Sequence, residues 1–291
     1  MLTATAVLLV CLQTLGDTVV LSPASPTNMD GAIDSTEDPT GPIFLPHADT
    51  LGSGNTNVNV LSQTTDETLH TFSGVSLAVR LNTVVVALSH GITDRLDASL
   101  VLPIVQENIA VTVTGAAVGH STVTFSGPSD LGVRLKYQLR PGLAAILKAT
   151  FPTGNPAKGL GTGSYFLTPG LAAMTTLGPF QLNARVAYNV DLSFAKKSSL
   201  AYGAGVSTLI PPFPWLGAAV EFLGQSGTGP QDALILFGVD YSQRHEEILA
   251  FGLRAALPHN VMVFTAGSYA LNRGGLRDDR VFPTLGIGGR F

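Results

Sequence analysis

The sequence predicts an all-β protein whose strands form a transmembrane antiparallel up-and-down β-barrel of about 12 strands, and three observations lead to that class. Only 12% of the 291 residues are charged and 45% are hydrophobic, whereas a soluble domain has about 25% charged residues. The chain contains 32 glycines and 18 prolines, which is too many for a helical bundle. From residue 54 onward, hydrophobic and polar residues alternate with a period of two, as in strands with one apolar face.

The longest charge-free stretches do not suit helical membrane spans. They cover residues 108–129, 159–184 and 198–220, and each is interrupted by glycine, proline, serine or threonine. Inside lipid every backbone polar group has to be satisfied within the protein, so only α-helices and closed barrels cross a bilayer. Because helices are disfavoured here, the low charge favours the barrel.

The alternation is clearest in two segments, 131–140 (LGVRLKYQLR) and 180–192 (FQLNARVAYNVDL). Successive side chains of a strand point to opposite faces, so each segment has one apolar and one polar face. The apolar face of the first segment carries Leu131, Val133, Leu135, Tyr137 and Leu139. A barrel in a membrane turns such faces toward lipid and the polar faces toward its lumen.

The predicted connections have the length pattern of an outer-membrane barrel. Twelve strands are predicted at residues 55–64, 76–90, 95–104, 130–139, 143–152, 165–176, 180–192, 200–210, 215–224, 247–257, 261–271 and 281–291. Short and long connections alternate, with tight turns predicted at 91–94, 140–142, 177–179, 211–214 and 258–260. Outer-membrane barrels have this asymmetry. The competing fold, a soluble β-sandwich, does not require it. Residues 233–241 (ALILFGVDY) also resemble a strand, so an alternative with 14 strands, including a further hairpin between residues 105 and 129, stays open.

The chain divides into three parts by composition. Residues 1–16 are predicted to be a signal peptide, since residues 5–12 (TAVLLVCL) resemble its apolar core. Residues 17–53 are rich in Pro, Asp, Ser, Thr and Gly and are predicted to be a flexible periplasmic or plug segment. Residues 54–291 are predicted to form the barrel. The last strand ends on Phe291, an outward-facing aromatic residue that resembles the C-terminal signal read by the barrel assembly machinery.

Several short motifs, in their order along the chain, resemble one protein family. They are HGITDRLDASLVLPIV (90–105), SDLGVRLKYQL (129–139), FPTGN (151–155), LGTGSY (160–165), LNARVAYNV (182–190) and ALNRGGLRDDRVFPTLGIGGRF (270–291). The chain is similar here to the transporter-like outer-membrane β-barrel family named for a meta-pathway of phenol degradation. That family is distantly like the long-chain fatty-acid and aromatic-hydrocarbon uptake channels. The resemblance covers residues 80–291 and implies a barrel in the bacterial outer membrane without catalytic residues.

The residue types give no support for catalysis or for a bound cofactor. The six histidines lack metal-ligand spacing, and the single cysteine, Cys11, allows neither a disulfide nor a cysteine-based zinc site. The glycine clusters lack the Lys-Ser/Thr of a phosphate-binding loop. A net charge of −4 offers no basic surface for nucleic acid. We therefore expect no enzymatic activity, no metal and no cofactor.

The face predicted to line the lumen is polar and rich in positive charge. The pore-lining candidates are Arg80, Asp97, Arg134, Lys136, Lys148, Asn183, Arg185, Asn189, Asp191, Glu221, Arg254 and Arg290. Arg134, Lys136 and Lys148 fall on neighbouring strands, and a basic strip of this kind concentrates anions such as carboxylates or phenolates. The alternative is that the inward cations pair with Asp97, Asp191 and Glu221 and fill a narrow barrel.

These features predict an outer-membrane channel for the uptake of small hydrophobic or aromatic molecules. Anionic molecules are among the predicted substrates. The expected partners are outer-membrane lipid and lipopolysaccharide, the barrel assembly machinery and the small-molecule substrate. Loops 105–129 and 225–246 are predicted to add specificity at the mouth. The alternatives are a structural or adhesive barrel with a plugged lumen and, with less support from the residues, an outer-membrane lipid-modifying enzyme.

Overall fold

The computed structural model describes residues 40–70, 75–113, 119–193, 198–228, 245–271 and 281–291. The predicted signal peptide (1–16) and the strand-like segment 233–241 lie outside these residues. The described chain contains thirteen strands and one turn of 3-10 helix at Pro156–Lys158, and no helix in it is long and apolar enough to span a membrane. The strands are β1 (Thr56–His70), β2 (Val75–Thr93), β3 (Leu96–Val113), β4 (Gly119–Pro128), β5 (Leu131–Arg140), β6 (Leu143–Phe151), β7 (Phe166–Leu177), β8 (Phe180–Asp191), β9 (Ser198–Ile210), β10 (Phe213–Thr228), β11 (His245–Leu257), β12 (Val261–Ala270) and β13 (Val281–Arg290).

Twelve of the strands close into one antiparallel barrel. Strands β5 to β13 pair in sequence order, β3 pairs with both β2 and β5, and β1 joins β2 on one side and β13 on the other. Closure pairs the backbone N–H and C=O groups between neighbouring strands, which is what a chain in lipid requires. The predicted all-β barrel of twelve strands is confirmed.

The two ends of the barrel differ in their connections. At one end, called the turn end, two or three residues join β2 to β3, β5 to β6, β7 to β8, β9 to β10 and β11 to β12. The two chain ends of the barrel also meet there, because Thr56 and Phe291 exchange backbone hydrogen bonds of 2.9 and 2.8 Å. The opposite end, called the loop end, carries the longer connections. In outer-membrane barrels the tight turns face the periplasm.

Side chains alternate between a lumen face and an outer face. In β5, Leu135 and Tyr137 are exposed on the outside, whereas Arg134 and Lys136, each only 1% exposed, lie inside. The outer surface carries many large apolar side chains, with aromatic residues near both ends of the strands: Tyr137, Phe180, Phe213 and Trp215 at the turn end and Phe151, Tyr165 and Tyr188 at the loop end. An apolar belt with aromatic borders is the surface that lipid surrounds.

The prediction of one long loop over residues 105–129 is wrong. β3 continues to Val113, and β4 pairs with its upper part, from Ile104 to Val113. β5 pairs only with the first residues of β3, Leu96–Val101. The backbone edge of the upper part of β3 is therefore available for pairing with β4. Alternating Val and Thr residues favour strand over loop in this segment. The additional hairpin of the 14-strand alternative therefore exists, but β4 lies outside the closed barrel.

The last residue offers a test of the predicted assembly signal. The ring of Phe291 is 80% exposed, while its backbone closes the β1–β13 seam. We expect Phe291→Ala to lower the amount of assembled barrel in the outer membrane several-fold, because the backbone seam survives but the aromatic signal is lost. The assembled fraction is measured as the heat-modifiable band on a gel. Leu285→Ala, on the same outer face of β13, is the control, and equal assembly of the two variants would refute the signal.

Candidate functional site

The lumen of the barrel contains a segment of the chain itself. Residues 40–53, called the strap, cross the lumen from β9, β10 and β11 to β3, β5 and β13. Their apolar side chains, including Ile43, Phe44 and Leu45, are buried against the inner wall. The wall is adapted to this passage at Gly91, where a Cβ atom would collide with the carbonyl group of Gly52. The strap thus occupies the inside of the barrel as part of its packed core.

One carboxylate holds the first part of the strap. Glu221 of β10, buried inside the barrel, accepts hydrogen bonds from three consecutive backbone N–H groups, those of Ile43, Phe44 (2.9 Å) and Leu45 (3.0 Å). Beside it, Nη1 of Arg254 donates to the Pro42 carbonyl oxygen at 2.7 Å. Hydrogen bonds to charged groups are stronger than neutral ones, so these two residues fix the strap to β10 and β11.

A second anchor lies near the turn end. The Asp97 carboxylate accepts the Leu51 N–H at 3.0 and 3.1 Å and forms an ion pair with Lys136, whose Nζ is 3.4 Å away. The same Nζ donates to the carbonyl oxygen of Asp49 at 2.6 Å, and Arg290 donates to that of Leu51 at 3.0 Å. The charges at this end of the lumen therefore bind the strap as well as one another.

The middle of the strap is held through an imidazole. His47 Nδ1 accepts the Asp49 N–H at 3.2 Å, and its Nε2 lies 3.2 Å from the side-chain amide of Gln181 on β8. Lys136 also reaches the carbonyl oxygen of His47, at 3.4 Å. The strap is thus tied to the wall along its whole length.

The structure places most of the predicted pore-lining residues inside the barrel. The buried ones are Asp97, Arg134, Lys136, Asn183, Asn189, Asp191, Glu221 and Arg254, and the half-buried ones are Lys148, Arg185 and Arg290. Arg80 does not follow the prediction: it is exposed, and it shares the face of the exposed Leu88. The reason is that residues 84–88 of β2 are apolar on both faces, so alternation alone does not show which face is inside.

Strand register joins some of these residues with others that the sequence did not single out. One row of inward residues, called the polar row, crosses nine strands as Arg290, Asn57, Ser89, Ser99, Arg134, Lys148, Thr168, Asn189 and Ser199. Because barrel strands tilt against the axis, the row climbs from the turn end at Arg290 to the loop end at Ser199. Three of its members are cationic and none is acidic.

Hydrogen bonds link neighbouring members of the polar row. Ser89 donates to Ser99 at 2.8 Å, and Nη2 of Arg134 donates to the same Ser99 oxygen at 3.1 Å. Nearer the loop end, Thr168 donates to Asn189 at 2.8 Å, and the Asn189 amide donates to Ser199 at 3.0 Å. Small polar residues of this kind occur throughout the sequence, so only the register shows that they form one line.

The loop end carries a fixed loop beside the mouth. Asp130, buried before β5, accepts the N–H of Gly154 at 3.0 Å and both the N–H and the hydroxyl of Thr162 at 2.7 Å. These bonds draw residues 152–164 over the end of β5 and β6. In the described ranges no group of three or more His, Cys, Asp or Glu side chains is arranged to hold a metal ion.

Removing this anchor should release the loop. We expect Asp130→Ala to destabilise the protein by about 2–3 kcal/mol, since hydrogen bonds to a charged, buried acceptor are lost, and to make residues 152–164 cleavable by a protease added from outside. Limited proteolysis of whole cells measures the cleavage. Asn155→Ala, an exposed residue of the same loop, is the control. Similar resistance of both variants would show that Asp130 does not hold the loop.

Comparison with known proteins supports the fold. The sequence matches no protein-family model and no curated protein. Among solved structures, the chain is similar to the COG4313 outer membrane channel from Pseudomonas putida F1, with a TM-score of 0.60 and 17% identity over 84% of this chain and 98% of that one. The CymD monoaromatic hydrocarbon channel gives a TM-score of 0.45 at 10% identity, over 83% of this chain and 89% of that one.

The fold and the outer surface both indicate that lipid surrounds the barrel. The barrel is closed, its described outer face is rich in large apolar side chains, and its architecture is that of outer-membrane barrels. Only lipid can cover such a face on a closed barrel. The protein is therefore an outer-membrane β-barrel.

Proposed function

We propose that the protein is an outer-membrane channel that takes up small hydrophobic or aromatic molecules, including their carboxylate or phenolate forms. The observation that carries the proposal is the chemistry of the inner wall. Apart from Arg80, the charged pore-lining candidates comprise six cations and three acids, although the whole chain has a net charge of −4. A cationic wall in a narrow pore raises the local concentration of anions and favours their passage.

The aromatic part of the proposal rests on the motifs of residues 80–291, which resemble the family named for a meta-pathway of phenol degradation. In this proposal the protein acts without catalytic residues or cofactors. It assembles in outer-membrane lipid and lipopolysaccharide with the help of the barrel assembly machinery, which recognises Phe291. The small-molecule substrate enters at the loop end and leaves at the turn end.

The strap favours a second candidate, a structural or adhesive barrel with a plugged lumen. Its buried apolar side chains and its bonds to Glu221, Asp97 and Lys136 fill much of the lumen in the turn-end half. The two candidates differ in one measurable property, because only a channel conducts ions across a membrane.

The test is single-channel recording of the refolded full chain in a planar bilayer, with the reversal potential measured in a potassium chloride gradient. We expect discrete conductance steps with a preference for chloride over potassium, and partial block by added benzoate. A heat-modifiable, folded barrel that never conducts would overturn the channel and leave the plugged structural barrel. Conductance with a preference for potassium would overturn the role assigned to the cationic wall.

A further inference from the structure

We infer that the turn end of the barrel is inserted asymmetrically in the membrane. Two adjacent turns lie in the phospholipid interface of the periplasmic leaflet, while the turns on the other side of the barrel lie in water. The inserted surface, called the apolar edge, consists of residues 177–180 at the β7–β8 turn and residues 211–215 at the β9–β10 turn. The inference concerns an interaction surface and holds whether or not the barrel conducts ions.

The tight turns differ in charge between the two sides of the barrel. Asp94 and Arg95 form the β2–β3 turn and Arg140 lies at the β5–β6 turn, and all three are exposed. The apolar edge contains no charged residue, yet every one of its residues is exposed, with Leu177 at 67% and Phe180 at 46%. Exposed apolar patches mark surfaces that contact a protein or a membrane.

The backbone of the β9–β10 turn has few donors that need water. Three of the five residues 211–215 are prolines, which have no N–H group. The pairing of β10 with β9 shifts its register between Phe213 and Gly217, so the residues between them lie in a bulge. Because an unsatisfied backbone donor is costly in lipid, a bulge rich in proline is less costly to bring into the membrane interface than an ordinary turn.

Two aromatic rings lie side by side on this bulge. The ring centroids of Phe213 and Trp215 are 5.7 Å apart, and both side chains are exposed. Tryptophan is enriched where a membrane meets water, because its ring is apolar while its indole N–H needs a polar partner. The pair therefore suits the level of the phospholipid headgroups.

The two turns are continuous with the strand surface that faces lipid. Thr208 of β9 is the register partner of Phe180, and its hydroxyl donates to the Pro179 carbonyl oxygen at 2.9 Å, which joins the β7–β8 turn to β9. Beyond Phe180, the outward residues Leu182 and Val186 of β8 are also exposed. The apolar column of β8 thus begins at the turn itself, and this continuity favours phospholipid over a periplasmic protein as the occupant.

The single tryptophan of the chain allows a test on the unaltered protein. The full chain is folded into phosphatidylcholine vesicles that contain a lipid brominated either near the headgroup or near the end of the acyl chain. Iodide, present on both sides of the membrane, serves as the aqueous quencher. We expect the shallow brominated lipid to quench the Trp215 emission most strongly and iodide to quench it least, because the indole lies at the interface.

The control moves the only tryptophan to the charged side of the turn end, with Arg95→Trp in a Trp215→Phe background. Both proteins are first shown to be folded by their heat-modifiable migration. In the control variant we expect iodide to quench more strongly than either lipid. A Trp215 emission that iodide quenches more strongly than lipid overturns the inference and leaves the apolar edge to a periplasmic protein. Equal lipid quenching at the two positions overturns the asymmetry.

Discussion

Glu221→Ala should open the lumen and raise the single-channel conductance by about tenfold, because pore conductance is governed by the narrowest constriction. The substitution removes the acceptor of three consecutive N–H groups, those of residues 43–45. A buried N–H group left without an acceptor costs about 1–3 kcal/mol. Residues 43–45 regain hydrogen bonds by moving away from the wall into water, so the first part of the strap leaves the lumen while Asp97 and Lys136 still hold residues 49–51.

Planar-bilayer recording measures the conductance, and cleavage within residues 40–53 by a protease on the turn-end side reports the position of the strap. Glu247→Ala is the matched control, since Glu247 lies at the loop end of the neighbouring strand, on its outer-facing side. Deletion of residues 40–51 should reproduce the larger conductance. If the deletion opens the pore and Glu221→Ala does not, the strap blocks the lumen but Glu221 does not anchor it.

The sequence was most informative where polar and apolar residues alternate strictly. The strands predicted at 130–139 and 180–192 are observed at Leu131–Arg140 and Phe180–Asp191, within one residue at each end. Their inward and outward faces follow directly from the period of two. The same rule failed at Arg80, because both faces of the neighbouring part of β2 are apolar and the orientation of that strand is decided by its pairing with β1 and β3.

Two features could not be predicted because they depend on contacts between distant parts of the chain. The strap is held largely through backbone N–H and C=O groups, and these are present in every residue, so composition shows only that residues 17–53 suit a loop or plug. The polar row depends on the register between nine strands. A shift of one residue in any pairing would send its members to the other face, and no local pattern reports that register.

The roles of the pore-lining candidates stay predictions that measurement has to decide. Their burial inside the barrel fits a lumen wall, and it fits equally a set of anchors for the strap. Lys136 shows the overlap, because the same ammonium group faces Asp97 and the carbonyl oxygen of Asp49. Lys148 and Arg185 differ from it in being half-buried, beside the strap residue Pro46.

A lysine placed on the outer face should show how deeply each position lies in lipid. Leu135 and Leu139 both point outward from β5, with 42% and 47% of their surface exposed, but Leu139 is next to the turn and Leu135 lies near the middle of the strand. On a membrane barrel, lysine costs about 2–4 kcal/mol at the bilayer midplane and about 0–1 kcal/mol near the interface. We therefore expect Leu135→Lys to destabilise the barrel severely and Leu139→Lys to have little effect.

The free energy of unfolding is measured by urea titration of the protein folded into phosphatidylcholine vesicles, with Leu139→Lys as the internal control for the chemistry of the substitution. In a soluble β-sandwich both lysine substitutions would lower the free energy of unfolding by similarly small amounts, because water would solvate both ammonium groups. Equal costs at residues 135 and 139 would mean that this face of β5 is not embedded in lipid. A difference of about 2 kcal/mol or more follows only from a bilayer whose polarity changes along the strand.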